Sequence, residues 1–277
     1  MPLVTPTLVL IILGAGTVAG GLGAMLGIGG GIFLVPFLTI VMGLPIGVAA
    51  AISLTTVIGT SSSVSAGRTG SHLINYRLGM VLEVATAAGS LLGGITAQYM
   101  NAHRLEQIFA VVTAIVGATT MTRLNRRNIV AGDDFDCGTL GGRYVDQESG
   151  GVVSYRVKRV PLALFASFVA GNISSLLGIG GGVIKVPVLN AWCGVPVRAA
   201  AATSAFMIGV TAAGGAIIYY GNGQLIPGLA AAAILGVQGG SAAGMHVGAR
   251  ASTRALKLLL AGVLFAVSAM MFYRSVQ

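Results

Sequence analysis

The sequence predicts an all-α polytopic membrane protein built from two inverted-topology repeats, each with a glycine-broken, half-length helix near the membrane midplane. Three observations carry that prediction: extreme apolarity, a regular series of apolar stretches, and an internal duplication. Of the 277 residues, 55% are hydrophobic and only 8% are charged, where a soluble domain carries roughly 25% charged. The mean hydropathy is +0.89. So little polar surface cannot cover a soluble fold, which excludes a cytosolic enzyme, a secreted module and a disordered chain. The charges are also concentrated. Residues 123–159 hold 12 of the 23 charged side chains, and outside that segment only Glu83 and Glu106 are acidic.

A spanning helix needs about 20 largely apolar residues. Before the charged segment, residues 6–26, 46–66, 78–99 and 105–122 meet this measure; after it, 160–177, 197–219, 226–248 and 255–273 do. Two shorter stretches, 32–43 and 183–193, each follow the first helix of a set. At 1.5 Å per residue they cover about half of a ~30 Å hydrocarbon core. Whether they complete a crossing or re-enter is left open by their length. The organisation is a first transmembrane repeat (1–122), a hydrophilic loop (123–159) and a second transmembrane repeat (160–277). The first seven residues carry no Lys or Arg, unlike the basic start of a secretory signal, so the N-terminus is expected to remain on the mature chain.

The two sets are one pattern written twice. Gly27-Ile28-Gly29-Gly30-Gly31 matches Gly178-Ile179-Gly180-Gly181-Gly182, Val35-Pro36 matches Val186-Pro187, and Ala49-Ala50-Ala51 with Ser53 matches Ala200-Ala201-Ala202 with Ser204. At a constant offset of 151, positions 27–53 are identical at 14 of 27. Equivalent loops carry opposite charge biases. Arg68 and Arg77 have no charged counterpart, while Arg250, Arg254 and Lys257 stand opposite Arg104 alone. With an odd number of passes per half and both termini outside, nearly all of these basic residues fall on the cytoplasmic side, which is the expected bias. A parallel repeat would move Arg198, Arg250, Arg254 and Lys257 outward. The inverted form is therefore expected, with loops 67–77, 123–159 and 249–257 inside.

Within the loop, two β-rich runs, 143–146 and 152–157, flank Glu148-Ser149-Gly150-Gly151 and read as a hairpin. Asp133, Asp134 and Asp136 lack the ligand spacing of a calcium loop. Cys137 and Cys193 have no zinc spacing and read as free thiols. His72, His103 and His246 sit near loops with no repeated acidic partner, so no metal site is expected. The basic residues stand singly between apolar stretches, unlike a nucleic-acid face. Gly14-x-Gly16 and Gly21-x-Gly23 lack the strand that a dinucleotide loop requires. No nucleophile–base arrangement stands out, so the chain does not read as an enzyme, and no cofactor is implied. Gly236, Gly240, Gly244 and Gly248, with Gly89, Gly93 and Ala97 in the other half, form a close helix-packing stripe.

The candidate site lies at the duplicated glycines. Successive glycines at 29–31 and 180–182 allow positive φ and break a membrane helix. Backbone groups freed at that depth must be buried in protein or line a cavity, and a helix starting there points N–H groups and a positive dipole end at an anion. The competing reading is tight packing alone. Lys185, on the first turn after Gly182, is the lone lysine within a half-length apolar stretch, and its counterpart is Leu34. An intramembrane cation points to function; snorkelling is the bland alternative. Ser53, Ser204 and Asn172, with Ser174, Ser175 and Asn190 nearby in sequence, could supply further donors or merely stitch helices together. Glu83 is expected to pair with Arg77 or Arg68.

The duplicated G-x-G-G-G…P…G-x-P…A-A-A-x-S pattern on two halves joined by a hydrophilic loop resembles the TauE/SafE sulfite exporter family, also called the toluene-sulfonate-uptake permeases. The resemblance covers about residues 8–122 and 160–273. It implies a multi-pass inner-membrane transporter of sulfite, sulfonates or related sulfur-containing or organic anions. The expected mechanism is alternating access around a midplane anion site made of Gly29, Gly30, Gly31, Gly180, Gly181, Gly182, Lys185, Ser53, Ser204 and Asn172. A passive anion channel on the same scaffold, or a non-transporting assembly or sensor subunit working through the loop, are the alternatives. The expected partners are a small anion, the bilayer and, for an oligomer, further copies of the chain.

Overall fold

The computed structural model describes residues 5–26, 28–67, 72–122, 136–145, 151–250 and 253–276. The first half contains α1 (Pro6–Leu26), α2 (Gly31–Pro36) continued by a π-helical turn (Phe37–Val41), α3 (Ile46–Gly67), α4 (Tyr76–Gln98) and α5 (Ala102–Thr122). A two-stranded hairpin follows, β1 (Gly142–Val145) and β2 (Val152–Tyr155). The second half contains α6 (Val160–Leu177), α7 (Gly182–Ala191), α8 (Val197–Gly221), α9 (Pro227–Arg250) and α10 (Thr253–Val276). Six of these helices, α1, α3, α4, α6, α8 and α9, contain segments long and apolar enough to cross a membrane. The chain is a polytopic helical membrane protein. Large apolar side chains such as Leu10, Val84, Phe165, Ile217 and Leu235 lie exposed on its outer surface, where lipid tails rather than water would meet them.

The duplication is visible as paired close approaches. A side chain at Gly20 would collide with the Val237 carbonyl on α9, and one at Gly171 would collide with the Thr86 carbonyl on α4. Gly240 lies in the same way against the Thr17 carbonyl and Gly89 against that of Phe168; Gly244 lies against Gly21 and Gly93 against Asn172. Each contact becomes its partner when the residue numbers are shifted by 151 in opposite senses. The glycine stripes thus bring α1 onto α9 and α4 onto α6 at backbone distance, the small-residue packing that membrane helices use.

Contact order along the helices gives their directions. Leu13 lies by Gly236 and Gly21 by Gly244, so α1 and α9 run in parallel; Gly59 by Ile234 and Gly67 by Met245 make α3 parallel to α9 as well. Hence α1 and α3 point the same way, and α2 must return between them. Gly31 packs beside Ser53 and Val57 in the middle part of α3, and α2 with its π-turn then leads back to the start of α3. The short stretch re-enters. Counterpart helices run in opposite directions. Ser61 Oγ donates to the Ala205 carbonyl at 2.6 Å while Leu54 lies by Gly215, which makes α3 and α8 antiparallel. Ser268 Oγ donates to the Ala110 carbonyl and Glu106 pairs with Arg274 at 3.3 Å, which makes α5 and α10 antiparallel.

These directions put both termini on one face and the hairpin on the other. Antiparallel pairing matches Val145 with Val152 and Gly142 with Tyr155; the turn between the strands lies outside the described residues. The buried side chains of Tyr144, Val153 and Tyr155 join Leu78, Leu82, Leu189, Ala199 and Met207 in one apolar cluster. Asn75, which caps α4 by accepting from the Leu78 N–H, also donates to the Leu140 carbonyl at 2.8 Å and to Tyr155 Oη at 3.1 Å. Burial pushes the Tyr155 phenol above its usual pKa.

Glycine stripes that close should not tolerate a branched side chain. Gly240→Val or Gly89→Val should lower stability in detergent by about 3 kcal/mol or more through overpacking. Gly239→Val, at a glycine with open space beside it, should stay close to the parent; thermal unfolding of the three proteins checks this.

Candidate functional site

The two glycine breaks meet. Gly29 and Gly30 have φ of 88° and 71°, and Gly180 and Gly181 have 83° and 66°, backbone geometry that favours residues without a Cβ. In each break the chain folds back on its own helix: Gly30 lies against Ala19 and Gly23, and Gly181 against Ala170 and Ser174. The breaks then converge on the crossing of α3 and α8. Gly29 touches Ile208 and Val57, Gly180 touches Val57, and Gly31 faces the Gly178 carbonyl. Val57 and Ile208 are themselves counterparts, and Val57 sits at the middle of α3. Ser53 Oγ donates to the Gly178 carbonyl at 2.6 Å and so ties one half to the break of the other. Gly27, the residue equivalent to Gly178, lies outside the described residues.

Three hydroxyls on α6 and α8 are buried without a hydrogen-bond partner among the described residues. Ser174 Oγ, Ser175 Oγ and Ser204 Oγ have none among the described residues, and all three side chains are fully buried. Buried polar groups are nearly always satisfied, so such a cluster needs a cause. Ser174 adjoins Gly181, and Ser175 lies between Gly94 and Gly215. Asn172 takes a different place: its backbone packs on Gly93 of α4, while the residues of α6 next to Gly181 are Ala170 and Ser174. Asn190 Nδ2 donates to the Val195 carbonyl and closes the turn after α7.

Lys185 is buried to 1% exposure. Its backbone N–H completes the first turn of α7 on the Gly181 carbonyl, and its ammonium reaches α8 and α4. Nζ donates to Thr211 Oγ1 at 3.1 Å and stands 3.9 Å from Glu83 Oε2. The Thr211 hydroxyl lies 2.9 Å from Glu83 Oε1 and 3.2 Å from the Met207 carbonyl, and can donate to either. Glu83 Oε2 has no hydrogen bond among the described residues. The expected pairing of Glu83 with Arg77 or Arg68 is therefore corrected: Arg68 lies outside the described residues, and the carboxylate turns inward to the buried lysine. The reason is cost. An intramembrane ammonium needs a counter-charge at its own depth, and Glu83 on α4 is the acidic residue within reach. Thr211 is one turn, about 5 Å, along α8 from Ile208, so the ionic cluster adjoins the crossing of the breaks.

The equivalent positions in the other half are apolar or self-contained. Leu34 stands for Lys185 and Ile234 for Glu83, while Thr60, for Thr211, donates to its own helix at the Thr56 carbonyl. The fold therefore builds the same corner once with charges and once without. Removing one charge alone (Lys185→Leu or Glu83→Ile) should cost about 3–5 kcal/mol, because an unpaired buried ion remains. The double change Lys185→Leu/Glu83→Ile should recover to within about 1 kcal/mol of the parent; a double-mutant cycle by thermal or denaturant unfolding in detergent measures both.

A family model described as sulfite exporter TauE/SafE matches residues 12–271. The chain is 24% identical over 275 residues to the probable membrane transporter protein YunE of Bacillus subtilis, covering 97% of this chain and 98% of that protein. It is also 24% identical over 277 residues to a probable membrane transporter protein of Methanocaldococcus jannaschii, covering 95% of this chain and 93% of that one. No solved structure matches. With a broken helix in each half and a family match spanning nearly its whole length, the chain belongs to the sulfite exporter TauE/SafE family of multi-pass membrane transporters.

Proposed function

We propose that the chain is a secondary transporter that carries a small oxyanion, of the sulfite, sulfonate or related class, by alternating access around the crossing of its two glycine breaks. The observation that carries this reading is the three buried hydroxyls, Ser174, Ser175 and Ser204, without a hydrogen-bond partner among the described residues, on α6 and α8, the helices that precede and follow α7 with its buried Lys185. A hydrated oxyanion entering a membrane protein must exchange water for other donors. Hydroxyls, the N–H groups at the breaks (29–31 and 180–182) and the Lys185 ammonium are such donors. Ser53 can join them on leaving the Gly178 carbonyl. Asn172 is a less direct candidate, since its backbone faces α4.

Alternating access is favoured over a passive channel by the packing of the crossing. The apolar side chains of Val57 and Ile208 pack against the breaks, where an open channel would expose polar groups. The antiparallel packing of α3 on α8 and of α5 on α10 supports an inverted repeat, whose two halves can exchange conformations to open opposite faces. The family name supports the sulfur-oxyanion class.

Orientation follows from the basic residues. The face bearing the hairpin also carries Arg77, Arg143, Arg156 and Lys158, whereas the opposite face has Arg104 and Arg274. By the positive-inside bias the hairpin side is cytoplasmic and both termini are outside. Reporter fusions after Gln277 and within 133–150 should read outside and inside respectively; a cytoplasmic C-terminus would overturn the orientation. A thermal-shift screen against sulfite, thiosulfate, sulfonates and carboxylates should find stabilisation by at least one sulfur oxyanion. The Lys185→Leu/Glu83→Ile protein, which keeps the fold, should bind that anion at least about tenfold more weakly.

A further inference from the structure

We infer that Glu83 is a proton-binding site, and that the transporter moves a proton together with its anion. The inference rests on the anion-transport reading above.

The argument begins with the asymmetry of the pair. Leu34 and Ile234 show that this architecture accepts apolar side chains at the two positions, and a buried ion pair is a poor stabiliser compared with apolar packing. The charges are therefore held for something other than the fold. Their geometry is that of a pair able to part. Lys185 Nζ makes a hydrogen bond to Thr211 but none to the carboxylate, which it faces at 3.9 Å. Glu83 Oε2 accepts no hydrogen bond among the described residues. Thr211 Oγ1 bridges the two groups, and its hydroxyl hydrogen has a second acceptor in the Met207 carbonyl. The threonine can turn from the carboxylate to its own helix when the carboxylate becomes a donor.

Charge balance supplies the rest. The empty corner holds one positive and one negative group and is neutral. A monovalent anion drawn to the Lys185 ammonium would leave Glu83 as an uncompensated buried charge, which is costly at this depth. Uptake of one proton by the carboxylate restores neutrality: Lys185 stays protonated and pairs with the anion, and Glu83 becomes a neutral acid. The proton comes from water on the side from which the anion enters. It leaves on the opposite side when the anion departs and the ammonium returns to the carboxylate.

Among the described residues no other group is placed to take over this role. Around Glu83, α6 carries no titratable side chain, and α7 supplies Lys185 alone. On α8 the titratable residues are Arg198, Tyr219 and Tyr220, each two turns or more from Thr211 along the helix. On α4 itself Tyr76 and Arg77 lie at the loop end, and the hairpin's Tyr144 and Tyr155 join the cluster around Leu78 and Leu82.

The test is proton counting. Calorimetric titration of the purified full-length protein with methanesulfonate and with thiosulfate, neither of which titrates near neutral pH, is run in Hepes and in Tris. The dependence of heat on buffer gives the protons taken up per anion. The parent should take up about one proton with methanesulfonate. Glu83→Gln, which keeps a hydrogen-bonding group of the same size, should bind with none, and Glu83→Asp should retain the uptake. In proteoliposomes an inward proton gradient should drive methanesulfonate accumulation by the parent that approaches, and does not exceed, about tenfold for each pH unit, as one-to-one coupling requires. Anion binding by the parent without proton uptake overturns the inference and leaves the transport reading intact. So does proton uptake that persists in Glu83→Gln, and so does loss of binding in a folded Glu83→Gln protein. A parent that binds none of the sulfur oxyanions overturns the transport reading and this inference with it.

Discussion

Everything in this structure depends on a backbone constraint: in a bilayer, a chain that leaves helical geometry exposes N–H and C=O groups that lipid cannot satisfy. The protein breaks its helices twice, after α1 and after α6, so each break must be enclosed by protein. The α3–α8 crossing provides that enclosure, with Val57 and Ile208 pressed onto Gly29 and Gly180 and Ser53 bonded to the Gly178 carbonyl. Glycine is required here for two reasons at once. The φ angles are positive, and at Gly31 a Cβ would strike both the Gly178 carbonyl and Ser53.

Duplication explains why there are two breaks; the departures from it show where chemistry was added. The close contacts of the glycine stripes repeat in register, as expected if both halves keep the packing they began with. The Lys185–Thr211–Glu83 cluster does not repeat. It joins α7 and α8 of the second half to α4 of the first, and its counterpart is built from Leu34, Thr60 and Ile234. A second difference lies in the short helices. After Pro36 the chain continues as a π-turn over Phe37–Val41, whereas α7 runs on as α-helix past Pro187 to Ala191. Arg274, paired with Glu106, donates to the Thr39 carbonyl within that π-turn, so the end of α10 ties down the first half's re-entrant segment.

The fold was legible in the sequence because it is written in periods longer than any one contact. Apolar length marks the spanning helices, the 151-residue offset marks the halves, and the opposed loop charges give only the expectation of their orientation. The candidate residues that the structure brings near the breaks are those whose signal was local: glycines, a lysine on the half-helix and serines next to a break. The signal was obscured where direction around a helix decides the outcome. Asn172 and Ser174 are two residues apart, and a helix turns about 200° over that interval, so one faces α4 and the other faces the break. Glu83 was assigned to arginines near in sequence. Its partner comes from a helix about a hundred residues away, and no one-dimensional pattern carries that distance. The re-entry of α2 was likewise settled only by the parallel course of α1 and α3.

In the alternating access proposed for this chain, the same contacts would restrict how the two faces open in turn. Glycine stripes hold α1 to α9 and α4 to α6 at backbone distance, and packing this close has little freedom to slide without overlap. Each of these pairs contains one helix from each half. The bodies that keep their shape are therefore the mixed pairs rather than the two repeats. Relative motion is left to the crossing of α3 with α8 and to the short helices lodged beside it. At that crossing the contacts are side chains on glycine, Val57 and Ile208 against Gly29 and Gly180, which can part at smaller cost than interlocked backbones. On the hairpin side, Tyr144, Val153 and Tyr155 cover the ends of α4, α7 and α8, the three helices that carry Glu83, Lys185 and Thr211. Opening toward that side must therefore disturb the hairpin's contacts, which links the loop joining the halves to the ionic cluster that makes them unequal.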